Sequence, residues 1–200
     1  MLFRSSPYEG PIVSIITISS TVVQIIVLAL VIRLKRWPVL EYLGAALPPH
    51  GAILRALALL VALTVAMEGT MTLVGQNVVP PFQLASYVTA KEAGYLPALF
   101  AAVVLFAPIG EEIVFRGFLY RGFVRRPGRE PYAIVVITLL WMLAHQQYDW
   151  AGMLQIFIIG LLLGGVRWWT GSIAPTILMH MLANLFAAIE TAIYVEWLHP

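Results

Sequence analysis

The sequence predicts an all-α protein: a polytopic membrane bundle of about six transmembrane helices, with a cavity inside the bundle. Two observations predict this fold class. Of the 200 residues, 60% are hydrophobic and 11% are charged, whereas a soluble domain has about 45–50% apolar residues. The mean hydropathy is +0.88, and the apolar residues form runs of about 20, the length that a helix needs to cross about 30 Å of hydrocarbon.

The predicted spans follow one another along a single integral membrane domain that covers residues 1–200. The first run ends in the basic segment RLKRWP, so we expect a retained span rather than a cleaved signal peptide. Residues 76–96 mix aromatic, Pro and charged residues, which is typical of a segment at the membrane interface. The spans are predicted at 11–32, 52–74, from 96 to the RGFVRRPGRE loop, 131–145, 152–169 and 172–189.

The charges of the loops predict the orientation. Cytoplasmic loops are enriched in Lys and Arg, so the side that carries most of the basic residues should face the cytoplasm. Both termini should then lie on the non-cytoplasmic side. We expect the protein in the plasma (inner) membrane of a prokaryote. The basic residues after the first, third and fifth spans are Arg33, Lys35, Arg36, Arg121, Arg125, Arg126, Arg129 and Arg167, and the opposite side receives Glu9, Lys91, Glu92, Asp149 and Glu196.

Charge and cysteine content exclude some classes of function. The net charge is +2, but the basic residues lie between apolar runs instead of on one face, so we predict no nucleic-acid partner. The chain has no cysteine, which excludes disulfides, thiolate metal ligands and a cysteine nucleophile.

Ionisable residues inside the predicted spans are the first candidates for function, because each costs about 2.5–3.5 kcal/mol at the centre of a bilayer. Glu112 and Arg116 are four residues apart on a helix, and we predict that they form a supporting ion pair. Glu111 points about 100° away from Glu112 and has no local cation, as expected of a free general base. Glu68, in the outer part of the second span, has no predicted role.

Three polar residues in other spans extend this set. His145 ends the fourth span in WMLAH, and the sixth span carries His180 and Asn184 one turn apart in HMLAN. Leu would fill each of these places at a lower cost, so we expect the histidines to lie near Glu111. Taken alone, each histidine could instead be a packing residue without a catalytic role. A second alternative is a zinc ion held by the two histidines and a glutamate, although the H-E-x-x-H motif is absent. We predict no metal and no other cofactor.

Three motifs, in this order, resemble a known family. EEIVFR is an E-E-x-x-x-R motif, WMLAH is similar to F-x-x-x-H, and HMLAN fits H-x-x-x-N. Together they resemble the CPBP family, the CAAX-protease and bacteriocin-processing (Abi) group, over a core at residues 96–190. Trp141 stands where the family motif has Phe. The resemblance implies an intramembrane endopeptidase of the glutamate type, whose eukaryotic members remove the last three residues of prenylated proteins.

The resemblance also implies a role for each motif residue, in a catalytic cavity within the bundle. Glu111 and His145 would activate the attacking water, and His180 with Asn184 would bind the oxyanion. The second glutamate and the arginine of the first motif would support them. The implied partners are peptide or protein substrates, lipid-modified ones among them, and membrane lipids.

Three alternatives stay open at this point. The peptidase could depend on zinc. A non-catalytic membrane scaffold or immunity protein could have the same fold. A small transporter could use Glu68 and Glu111, although no inverted repeat is visible in the sequence.

Overall fold

A computed structural model describes residues 8–76 and 79–198, and all regular structure in these two ranges is helical. In these ranges three stretches are π-helical: Ala102–Phe106 and Ile113–Leu119 within the helix Leu96–Phe123, and Tyr194–Leu198 after the helix Ala174–Ile193. The helices are α1 (Glu9–Leu34), α2 (Val39–Leu43), α3 (Ala52–Leu73), α4 (Pro81–Glu92), α5 (Leu96–Phe123), α6 (Glu130–Leu143), α7 (Trp150–Thr170) and α8 (Ala174–Ile193).

The predicted fold class is confirmed. In the described residues, five helices are long and apolar enough to cross a membrane, namely α1, α3, α5, α7 and α8 with its π-helical turn. The remaining predicted span is α6, which has 14 residues and a length of about 21 Å. It is therefore shorter than the roughly 30 Å of hydrocarbon in a bilayer. The single domain over residues 1–200 and its core at 96–190 remain predictions.

The segment predicted at the membrane interface forms α4, which packs one face against α1. Four residues of α4 are buried, namely Ser86, Tyr87, Thr89 and Ala90. The Gly10 N–H donates to Thr89 Oγ1 over 2.8 Å, which joins the two helices near the start of α1. At the other end of the bundle, the Ser172 hydroxyl donates a hydrogen bond to the Ala46 carbonyl.

Two glycines let α6 and α7 approach closely. A Cβ at Gly160 would lie 2.6 Å from a methyl group of Thr138, and one at Gly164 would lie 2.6 Å from a methyl group of Ile134. Real side chains do not tolerate such distances, so the Gly-x-x-x-Gly pattern serves packing, as its spacing indicates. Beside it lies an apolar core that joins α3, α6, α7 and α8: Ala56, Leu60, Trp141, Leu163, Val166 and Met179.

The π-helical stretch that precedes the two glutamates depends on neighbouring helices. Pro108 has no N–H, so it cannot donate to the carbonyl of Val103, five residues earlier. Asn184 Nδ2 in α8 donates to that carbonyl instead, over 2.7 Å. Thr21 Oγ1 in α1 donates to the Phe106 carbonyl over 3.1 Å. Side chains from two other helices thus satisfy the backbone groups that the irregular helix exposes.

Candidate active site

A cavity of about 550 Å³ lies inside the bundle and is lined by α1, α3, α4, α5, α6, α7 and α8. Most of its lining is apolar. Its polar residues include four of the predicted site residues, which the structure brings together around one space: Glu111, His145, His180 and Asn184.

Glu111 lies near the middle of α5, and its side chain is 26% exposed. Trp141 Nε1 in α6 donates a hydrogen bond to Glu111 Oε2 over 2.5 Å. His145 Nε2 lies 3.9 Å from the same oxygen, which is too far for a direct hydrogen bond. The carboxylate is therefore held by one strong donor and still faces the cavity.

The contacts of His145 define which ring nitrogen carries its proton. Nδ1 lies 2.8 Å from the carbonyl oxygen of Trp141, one turn earlier. A carbonyl oxygen only accepts hydrogen bonds, so Nδ1 must donate, and in the neutral ring Nε2 is then an acceptor. Both Glu111 Oε2 and His145 Nε2 thus present acceptors to the space between them.

The second glutamate forms the buried pair that its spacing predicts. Arg116 Nη1 lies 2.8 Å from Glu112 Oε1, with side chains that are 2% and 0% exposed. His180 Nδ1 lies 3.0 Å from the same oxygen, and a carboxylate only accepts, so the ring donates to it. The arginine also donates to the carbonyl of Gly160, over 3.4 Å. The structure therefore groups His180 with Glu112, and only His145 lies beside Glu111, whereas the sequence led us to expect both histidines there.

The contacts that Trp141 makes in the site were not predicted from the sequence. Beyond its bond to Glu111, its ring lies under the Arg116 guanidinium, 4.4 Å from the ring centre, and meets the rings of His145 and His180 edge to face at 5.2 and 5.3 Å. In the sequence this residue was noted only as the one that stands where the second motif has Phe. The available signal was its indole N–H, because a buried tryptophan N–H usually has an acceptor.

For the hydrolysis that the resemblance implies, replacing Trp141 by Phe is expected to lower kcat at least about tenfold and leave KM nearly unchanged. Phe keeps the ring contacts but removes the donor to Glu111, and a hydrogen bond to a charged group contributes about 1.5–3 kcal/mol. Steady-state kinetics of the purified protein would measure this. An indole N–H resonance in NMR spectra that is lost in Trp141→Phe and shifts in Glu111→Gln would verify the bond. An unchanged kcat would contradict the role.

Two further carboxylates line the same cavity, Glu68 from α3 and Glu190 from α8. Glu68 Oε2 is buried and has no hydrogen-bond partner. No role was predicted for Glu68, and the structure places it in the wall of the cavity. Glu190 was missed because the sixth span was predicted to end one residue before it.

The turn between α6 and α7 completes one wall. Tyr148 OH accepts a hydrogen bond from Gln83 of α4 over 3.4 Å, and its ring meets Phe82 edge to face. Because the phenol oxygen accepts from Gln83, its own hydrogen can be donated into the cavity.

The donor set gives little support for a metal ion. No group of three or more His, Cys, Asp or Glu side chains in residues 8–76 and 79–198 is arranged to hold one. His145 and His180 each use Nδ1 on a protein oxygen, and Glu112, between Arg116 and His180, is already neutralised.

Fold and site together define a class: a multi-pass membrane protein whose helical bundle encloses a cavity with a carboxylate, two histidines and an amide. Residues 93–186 match the family model described as Type II CAAX prenyl endopeptidase Rce1-like. Over this part of the chain the match confirms the resemblance that the three motifs predict, and the matched family is one of proteases. Searches of the curated proteins and of the solved structures found no match.

Proposed function

We propose that this protein is an intramembrane endopeptidase that hydrolyses peptide bonds with a water activated by Glu111 and His145. The observation that carries the proposal is the pair of acceptors, Glu111 Oε2 and His145 Nε2, 3.9 Å apart on the wall of the cavity. The family match supports the same reaction class.

The two acceptors can hold one water molecule by both of its hydrogens. Such a water turns its lone pairs away from the wall and toward a peptide carbonyl in the cavity. Glu111 removes a proton as the water attacks, and it later gives that proton to the leaving amine. Trp141 keeps the carboxylate in position, and no covalent enzyme intermediate is needed.

The tetrahedral intermediate needs hydrogen-bond donors for its oxyanion, a role that we assign to His180 and Asn184. Asn184 donates one Nδ2 hydrogen to Val103 and has a second for the cavity. His180 uses Nδ1 on Glu112, so Nε2 donates only when the ring carries both protons. The buried Glu112 would stabilise that imidazolium, while the ion pair with Arg116 holds the carboxylate in place.

The substrates would be peptide or protein segments that enter the bundle, lipid-modified ones among them. The largely apolar lining suits an extended apolar peptide or an acyl or prenyl chain next to the cleaved bond. We place the protein in the plasma membrane of a prokaryote, with both termini on the non-cytoplasmic side, the orientation that the loop charges predict.

A comparison of membrane peptidomes tests the proposal and finds a substrate at the same time. Cells that express the wild-type protein should contain cleavage products that are absent from cells with equal amounts of Glu111→Gln protein. The purified wild-type protein should then cleave a synthetic peptide of the same sequence. Identical peptidomes, together with a phenotype that Glu111→Gln retains, would instead favour a scaffold or immunity protein.

Activity is expected to survive strong chelation. The proposed water is held by a carboxylate and a neutral imidazole, and His180 already has a carboxylate partner, so none of these roles needs zinc. The measurement is the hydrolysis rate after metal-free purification with and without chelator. Loss of activity that Zn²⁺ restores, and that Mg²⁺ does not, would establish the zinc-dependent alternative.

A further inference from the structure

The cavity occupies one half of the bundle. It begins near mid-helix, at Glu111 of α5 and His180 of α8, and extends from there toward one end. Each lining helix contributes the part that is closer to that end. The lining residues fall within 12–17 of α1, 64–68 of α3, 99–111 of α5, 152–159 of α7 and 180–191 of α8.

The basic residues lie at the other end of the same helices. Apart from the buried Arg116, every described Lys and Arg except Lys91 is at or beyond the helix ends opposite the cavity. Lys91 is at the cavity end, but it is paired with Glu196 over 2.7 Å. Asp149 and Glu92 also lie at the cavity end. Because Lys and Arg near span ends mark the cytoplasmic side, the cavity lies in the non-cytoplasmic half of the membrane.

The short helix α6 indicates that water reaches this half. The packing of Gly160 against Trp141 places the end of α6 beside the middle of α7, so α7 extends about two turns farther. The turn at residues 144–149, with His145 and the exposed Gln146 and Gln147, therefore lies below the end of α7. Backbone outside a helix is tolerated at membrane depth only against protein or water, which fits a cavity open to the non-cytoplasmic side.

We infer that the site takes its substrates from the non-cytoplasmic side: they are extracytoplasmic peptide segments of exported or membrane-bound proteins, not the C-termini of cytosolic proteins. The side of access follows from charge and geometry alone. The statement that these segments are cleaved rests on the proposed function.

Single cysteines test the side of access, because the chain has no cysteine of its own. Gln147→Cys places a thiol in the exposed turn beside the cavity, and Pro127→Cys is the matched control in the exposed loop between α5 and α6. Neither change alters the charge. A membrane-impermeant thiol reagent added to spheroplasts should label Gln147→Cys and not Pro127→Cys, and inside-out vesicles should give the reverse. Labelling of Pro127→Cys in spheroplasts would overturn the inference.

A paired reporter tests the substrate class. Two single-span membrane proteins carry the same library of randomised peptide segments, one on the non-cytoplasmic side and one on the cytoplasmic side. The wild-type protein should cleave only the first, and the Glu111→Gln protein neither. Cleavage of the cytoplasmic segment would overturn the inference. No cleavage on either side, with the expected thiol labelling, would overturn the proposed hydrolysis and support the side of access, so the two failures are distinguishable.

Discussion

Replacing Glu111 by Gln is expected to lower kcat for peptide hydrolysis by about 10²–10⁴-fold, the usual contribution of a general base. Gln has the same shape, and its amide oxygen can still accept the Trp141 N–H, so the fold should be kept. It cannot take a proton from water. The measurement is the hydrolysis rate of purified protein in vesicles, on a peptide found by the peptidome comparison.

Glu68→Gln is the matched control for this experiment. It makes the same chemical change to another carboxylate of the same cavity, on a different helix and without contact to Trp141 or His145 in the described hydrogen bonds. It should retain most of the activity. Full activity of the Glu111→Gln protein would exclude Glu111 as the base, and equal losses in both variants would point to a general effect of charge in the cavity.

Replacing Glu112 by Gln is expected to lower the free energy of unfolding by about 3–5 kcal/mol, because it leaves the buried Arg116 without its anion. His180 loses the same partner. Denaturant titration of the purified protein in mixed micelles would measure the change. Glu92→Gln, at an exposed position of α4, is the matched control and should change the stability little.

A double variant separates stability from function at this position. Glu112→Leu combined with Arg116→Met removes both buried charges and should recover much of the stability that Glu112→Gln loses, since an apolar pair of similar volume is often tolerated. It should nevertheless be inactive, because His180 then has no carboxylate to stabilise its protonated ring. A Glu112→Gln protein as stable as the wild type would contradict the structural role of the pair.

Properties that depend on neighbours along one helix could be predicted from the sequence. The apolar runs predicted the helical bundle, since their length matches the membrane. The spacing of four residues predicted the Glu112–Arg116 pair, because the helix itself brings positions i and i+4 together. The same periodicity placed Glu111 on a different face from Glu112, as observed.

Properties that depend on how one helix packs against another could not be predicted in this way. Which histidine meets which glutamate depends on the rotation and depth of α6 and α8 relative to α5, and no periodicity encodes that. Packing brings His180 to Glu112, the Trp141 N–H to Glu111, and Asn184 to the carbonyl that Pro108 leaves without a donor. Motif order along the chain thus predicted a set of residues that line one cavity. Their partners are decided by contacts between helices, which form only when the bundle is assembled.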